Sequence, residues 1–548
     1  MAEDPRYNHL DANNTPDSRN APYGETDDDS SGSIRSGELQ RTMGPFSAMT
    51  VIAGMIIGSG IFSTPSGILI SVGSVGMSLF IWVIAAVASF CGVLAYLELG
   101  SMLPRSGGEK EYLDYEYEKP KALAPFLFCL SMIVLTRGGA CAVDSVVTGT
   151  YLLYAGGIYN NPWAERGIGI VVITLICILH SVSVKWGIRT TDILTLLKII
   201  VLVIVAITGI VAAAGGTSAP PTHAFTNAFE GTRSDGNGYA VALFKASFAF
   251  DGWNNANYVI GELRDPIRTL RIASLSAISV VSVLYVLANV AYFAVVPKEV
   301  ILNSNTVVAA EFFTRVFGQK AGGQALPVLI AISSFGSTCA MTFTAGRVIM
   351  EAAREGYLPY GQFFGRVSRF ETPANAFIIH WVVTMILMLA PPAGDSYNFI
   401  VNLQSYPEWW FYGASVVGLV ILRFTQPAAP RPFKSFWITN IFFILVAIFL
   451  VIAPFVPPTI SDTPSIPYYI VPVVSVAFII LSGVLWFIRV KLFHGLETSL
   501  NVQRYIWDNN LYGREYTTDE IERMMKLANE EELARVRHRA GELARNRS

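Results

Sequence analysis

Long apolar runs recur through most of this chain, and they decide what it can become. "GIGIVVITLICILHSVSV" (167–184) and "LTLLKIIVLVIVAITGIVAAA" (194–214) are two of them. An α-helix needs about 20 apolar residues to cross roughly 30 Å of hydrocarbon, and the runs match that length. Of the 548 residues, 52% are hydrophobic and 15% charged, against about 25% charged in soluble proteins. The chain therefore reads as an all-α polytopic membrane protein. Twelve spans are predicted, near 46–70, 75–103, 122–156, 166–185, 189–214, 239–261, 271–297, 323–352, 373–392, 395–424, 434–457 and 466–493.

The net charge of −2 is uninformative, but its distribution is not. Even-numbered gaps between spans carry Arg105, Lys110, Lys119, Lys121, Lys185, Arg189, Arg264, Arg268, Arg271, Arg354, Arg366, Arg369, Arg431 and Lys434. The opposite gaps carry Arg166, Arg233, Lys298, Arg315 and Lys320. Cytoplasmic loops are the Lys/Arg-rich ones, which places both termini in the cytoplasm. Residues 1–43 are polar and acidic, and read as a disordered tail without a cleavable signal. Residues 494–548 form a charged cytoplasmic tail. Within it, 518–545 has the pattern of an amphipathic helix, with Ile521, Met524, Met525, Leu527, Leu533 and Val536 on apolar positions. It is suited to lie on the membrane or to cover the inner mouth. All five cysteines fall within spans, so neither an extracellular disulfide nor a metal-ligand spacing is indicated.

Two spans are built to break. "IAGMIIGSGIFSTPSG" (52–67) places four glycines and a proline in the first, where glycine costs a helix interior about 1 kcal/mol and proline roughly 3. Small residues also let membrane helices pack closely, and for this segment alone that reading stays open. The sixth span, "FKASFAFDGWNNANYVIGEL" (244–263), is interrupted as well, by Asp251, Gly252 and three asparagines. Spans one and six each open one half of a ten-helix set, 46–214 and 239–424, with helices 11 and 12 in 434–493. Paired discontinuous helices in corresponding positions mark the binding site of an inverted-repeat transporter. Irregular backbone survives at membrane depth only where protein or a water-filled cavity satisfies it. Freed N–H groups after the first break suit an anion and freed carbonyls suit a cation. One solute carrying both is an α-amino acid. Its carboxylate is expected at Gly58, Ser59 and Gly60, and its ammonium near the carbonyls of Ile56, Phe248 and Ala249.

The same residues carry a family resemblance. "GMIIGSGIF" (54–62), "FAFDGWNNANYV" (248–259), "EGTRSDGNG" (230–238), "REGYLP" (354–359), "TRGGACAVDSVVTGTYLL" (136–153) and "WWFYGASVVGLVILRF" (409–424) occur in family order. Together they resemble the L-type amino acid transporters of the amino acid–polyamine–organocation (APC) superfamily, over residues 46 to 493. "SGGEKEYLDYEYEKPK" (106–121) is similar to fungal members. The resemblance implies a LeuT-like 5+5 inverted repeat with helices 1 and 6 discontinuous, making 44–493 a transporter domain. It implies Na⁺-independent exchange of L-amino acids at the plasma membrane, without a cofactor or a nucleic-acid partner. It makes Phe248 a gate over the substrate, with Trp253 packed beside it. Animal members join a glycoprotein heavy chain through a cysteine between spans three and four. The corresponding loop here, 154–167, has none, so no covalent heavy chain is expected and the chain is expected to work as a monomer.

Ionisable residues within spans are costly and are functional hypotheses by default. Lys198 matches a family lysine on span five, and the resemblance implies that its ammonium substitutes for a sodium ion, with Ser333 and Ser337 as neighbours. A lysine snorkelling from the inner helix end is the alternative. Asp144, Asp251 and Glu408 align with positions at or beside the side-chain pocket, where members preferring large neutral amino acids are uncharged. A buried carboxylate must be paired or protonated, and a lysine or arginine substrate would supply the pair. The alternative is internal pairing, for instance of Asp144 with Arg137 two helical turns earlier. His180 reads as an ordinary helix-face residue, and Lys245 as one at the outer end of span six. Other classes compared are an H⁺-coupled permease and a receptor that binds without transporting. No metalloprotease, paired-aspartate or Ser/His pattern supports an intramembrane enzyme.

Overall fold

The computed structural model describes residues 43–158, 161–216, 222–303, 308–354, 356–391, 396–457 and 466–488. The expected N-terminal tail up to residue 42 and the amphipathic helix at 518–545 lie outside the described residues. The described residues within 43–353 and 357–487 belong to one compact unit.

Among the described residues every element longer than a turn is helical. In chain order these are α1 Pro45–Ile56, α2 Gly60–Ser63, α3 Pro65–Val72, α4 Val75–Met102, α5 Glu109–Glu116, α6 Leu123–Ser131, α7 Gly138–Ala155, α8 Pro162–Val182, α9 Val184–Ala213 and α10 Gly236–Ala249. Then come α11 Pro266–Val295, α12 Lys298–Asn303, α13 Val308–Lys320, α14 Leu326–Arg354, α15 Gly361–Phe364, α16 Ala374–Leu389, α17 Ser396–Thr425, α18 Trp437–Ile452 and α19 Ile470–Trp486. A π-helical turn, Met132–Arg137, joins α6 to α7, and a 3-10 stretch, Asn255–Glu262, follows α10.

Local chemistry sets the starts of these helices. Ser74, Asn161, Ser183 and Asp235 each accept a backbone N–H from the first turn of the helix they precede. Such caps satisfy donors that have no partner inside the helix. Pro162 and Pro266 occupy first-turn positions, where the missing N–H costs nothing.

The helices carry apolar side chains on their outer faces as well as in the core, and bury their ionisable groups. Ile193, Ile207 and Ile210 of α9 and Ile438, Ile441 and Leu445 of α18 are exposed, whereas Arg137, Asp144, Lys198, Asp251 and Glu408 are buried. In water that distribution would be unstable, but in lipid the outer belt is already solvated by hydrocarbon. Eight helices among the described residues are long and apolar enough to cross a bilayer, and Ala374–Leu389 and Ile470–Trp486 are shorter apolar helices. The expected spans six and ten fall on α10, which is 14 residues long and too short for that set, and on α17, which is less apolar than that set. The chain is a multi-pass membrane protein.

Candidate functional site

The first break lies between α1 and α2. Ile57 leaves the helix at φ −77°, ψ 77°, and the chain resumes a helix at Gly60. The Ile56 carbonyl accepts the Gly58 N–H at 2.8 Å and the Tyr285 hydroxyl of α11 at 2.6 Å. Below the break, α9 is fastened to α1 along its length. Ser47 and Thr50 donate to Asp192, Thr195 donates to the Thr50 carbonyl at 3.1 Å, and Lys198 Nζ donates to the Gly54 carbonyl at 2.6 Å. Lys198 is buried against Gly336 of α14, where a Cβ would lie 2.9 Å from its Cε. It does not snorkel.

Asp144 of α7 closes the break. Its Oδ1 accepts the Ser59 hydroxyl and, at 3.4 Å, the Ser59 N–H, while its Oδ2 accepts the Ser337 hydroxyl of α14. Asp144, expected beside the substrate side chain, is therefore bonded to Ser59, one of the residues expected to take the substrate carboxylate. Nor does it pair with Arg137. Seven residues of α-helix separate the two by about 10 Å along the axis, and each takes a nearer partner. Ser337 makes the hydroxyl contact here, and the Ser333 hydroxyl is buried without a hydrogen bond.

The second break abuts the first. A Cβ on Gly60 would lie 2.5 Å from the Ala249 Cα, at the last residue of α10. The chain then turns through Gly252, whose φ of +104° favours glycine and whose missing side chain makes room for Met55. Asp251 faces Arg137 at 3.8 Å and accepts the Tyr412 hydroxyl at 3.4 Å. Arg137 ends the π-helical turn, a feature frequent at functional sites, and its guanidinium also stacks 5.2 Å from the Tyr258 ring centroid. Glu408 of α17 is buried, and its Oε1 lacks a hydrogen-bond partner. Asp251, Glu408 and Arg137 are thus brought together, whereas Asp144 belongs with Ser59, Ser337 and Lys198.

Three further residues take definite places. The described ring partners of Trp253 do not include Phe248. Trp253 lies 4.8 Å from Tyr96, 5.1 Å from Tyr412 and 5.9 Å from Phe443 between ring centroids, because the turn at Gly252 swings it towards α4 and α18. Lys245 is not at a helix end but buried against Gly67 of α3. His180 is buried as well, with Nε2 3.0 Å from the Cys339 carbonyl oxygen. Phe248 remains at the break, buried in the last turn of α10.

Sequence reasoning missed one wall of the site. Helix α5, in the loop between the second and third spans, seals the unwound stretch after α10. Asn254 Nδ2 donates to Glu109 Oε1 at 2.5 Å, the Tyr112 hydroxyl to Asn257 Oδ1 at 2.8 Å, and the Gly108 N–H to the Asn257 carbonyl at 3.2 Å. Burial pushes the Glu109 carboxyl above its usual range, and the Glu116 carboxyl well above. Beside them Glu262 pairs with Arg347 at 2.9 Å, and the Met43 backbone pairs with Glu262 and Arg264. The Ser-Gly-Gly-Glu motif at 106–109 marked the loop as distinctive, but nothing in it signals a buried acid.

The amino acid permease family model matches residues 43–482. The high-affinity methionine permease of Saccharomyces cerevisiae is 34% identical over 83% of this chain and 80% of its own length. The b(0,+)-type amino acid transporter 1 of Mus musculus is 33% identical over 77% of this chain and 84% of its own. The Asc-type amino acid transporter 1 of Mus musculus is 33% identical over 84% of each. A match running from the first break through the last described helix joins a shared sequence to the geometry above, and the chain belongs to the amino acid permease family of the APC superfamily, transporters rather than enzymes.

Proposed function

We propose that this protein moves L-amino acids, neutral and cationic, across the plasma membrane by Na⁺-independent exchange, with alternating access in a twelve-span LeuT-like 5+5 repeat. Both termini face the cytoplasm, and the chain works as a monomer without a covalent heavy chain. The observation that carries this reading is the meeting of two interrupted helices at Gly60 and Ala249, beside buried acids. Non-helical backbone there offers N–H and carbonyl groups to a head group common to all α-amino acids. Gly58, Ser59 and Gly60 take the carboxylate, the carbonyls of Phe248 and Ala249 take the ammonium together with that of Ile56 once Tyr285 releases it, and Phe248 closes over it.

Charge supports the substrate range. Asp251 and Glu408 share the Arg137 guanidinium, so two acids face one cation and the cluster is suited to a lysine or arginine side chain. The names of the relatives, a methionine permease and two amino acid transporters, agree with an amino acid substrate. Lys198 supports independence from sodium, because its ammonium already occupies the Gly54 carbonyl beside the break.

Counterflow in proteoliposomes tests the reading. Labelled leucine should accumulate against unlabelled internal leucine, lysine should compete, and replacing Na⁺ by choline should change nothing. Binding without movement of label would identify a receptor instead.

A further inference from the structure

Asp144 poses a problem that the transport reading does not answer. An ionised carboxylate only accepts hydrogen bonds, and Asp144 receives three, from the Ser59 N–H, the Ser59 hydroxyl and the Ser337 hydroxyl. Two of these donors are the ones a substrate carboxylate would use. Two carboxylates on one set of donors repel strongly, and such pairs are held together by a shared proton. Resting on the reading above, we propose that Asp144 is the proton-linked latch of this transporter, taking up one proton as an amino acid carboxylate displaces it from Ser59.

The step balances simply. A proton from the aqueous side adds to Asp144, and Ser59 turns its N–H and hydroxyl to the incoming carboxylate. The protonated Asp144 keeps one acceptor oxygen for Ser337 and gains an O–H of its own. When the amino acid leaves, the proton returns to water and Asp144 recaptures Ser59. Because Asp144 ties the α1–α2 break to α14 through Ser337, the exchange of partners also decides whether those elements are joined.

The surroundings favour this residue over the other ionisable groups. Facing Asp144 are Lys198 from α9, Tyr285 from α11, Cys141 on its own helix, and Ser337 from α14. Lys198 gives one donor to the Gly54 carbonyl while its charge acts on Asp144, and Tyr285 donates to the Ile56 carbonyl. Gly58 leaves room for the carboxyl to move, since a Cβ there would lie 3.1 Å from Asp144 Oδ2 and 3.0 Å from Ser337 Oγ. The described partners of Asp251, by contrast, are Arg137 and Tyr412, neither of them a donor assigned to the substrate carboxylate.

Calorimetry of leucine binding to the purified full chain, in buffers of different ionisation enthalpy, counts the protons directly. The wild type should take up close to one proton per leucine, and its Kd should rise about tenfold per pH unit while Asp144 is ionised in the free protein. In Asp144→Asn, whatever binding remains should take up no proton, whereas Glu408→Gln should keep the uptake. Leucine binding to the wild type without proton uptake overturns the proposal whatever the variants do. Uptake that persists in Asp144→Asn, or vanishes only in Glu408→Gln, assigns the proton elsewhere and overturns it too. Absence of any amino acid binding by the wild type overturns the transport reading itself, and the latch with it.

Discussion

Gly60 and Ala249 stand backbone to backbone, so that a Cβ on Gly60 would lie 2.5 Å from the Ala249 Cα. Two interrupted helices meet at this contact, and no side chain fits between them. Overpacking such a contact costs typically about 1–3 kcal/mol. Gly60→Ala should therefore lower leucine counterflow by roughly tenfold or more, and Gly60→Val should abolish it. Counterflow of Gly60→Val at the wild-type rate would show that the two breaks need not touch.

Glu408 and Asp251 should differ in kind. Asp251 offsets the buried Arg137, and removing one partner of a buried pair costs about 3–5 kcal/mol. Asp251→Asn should lower thermal stability and the uptake of every substrate together. Glu408→Gln should leave leucine uptake within about twofold and cut lysine uptake by about tenfold, one fully formed charge contact at about 1.4 kcal/mol. Equal losses of leucine and lysine in Glu408→Gln would make that acid structural.

Phe248→Ala should slow turnover by about tenfold while the protein keeps its melting temperature within a few degrees. Buried in the last turn of α10, the ring stands where the two breaks converge. Normal counterflow in this variant would remove its gating role.

Stability should depend on pH through α5. Burial raises the Glu109 carboxyl above its usual value of 4.5, so the folded chain keeps a proton that the unfolded chain has released. This contribution to stability is complete below pH 4.5 and is lost as pH rises through the folded value. Glu116, raised in the same way, adds to the slope. Melting temperatures of Glu109→Gln should fall less than wild type as pH is raised from 4.5. A parallel curve would mean that Glu109 is already paired in its charged form.

Lys198→Met should leave the Gly54 carbonyl without its donor and lower transport by about tenfold, an unsatisfied buried acceptor costing about 1–3 kcal/mol. Transport by the wild type should be the same in Na⁺ and in choline. A strong fall in choline would overturn the view that this ammonium replaces an ion.

The sequence by itself determined the class of structure. Apolar runs long enough to span a bilayer leave the backbone no option but helix, and glycines 54, 58 and 60 with "FDGWNNAN" announce where two helices come apart. It also determined which charges would be buried, because Arg137, Asp144, Lys198, Asp251 and Glu408 lie within predicted spans. Only the tertiary structure decided which of them meet. Asp144 and Arg137 share a helix face, yet one binds Ser59 and Ser337 and the other faces Asp251. Trp253 follows Asp251 by two residues, yet the left-handed turn at Gly252 sends it to a different wall. Glu109 lies in a polar loop motif, yet it is buried under an unwound segment that is distant in sequence. Helical periodicity reports which side of its own helix a residue occupies. A charge in low dielectric is governed by whatever partner other helices bring within about 4 Å, and that distance is a property of packing.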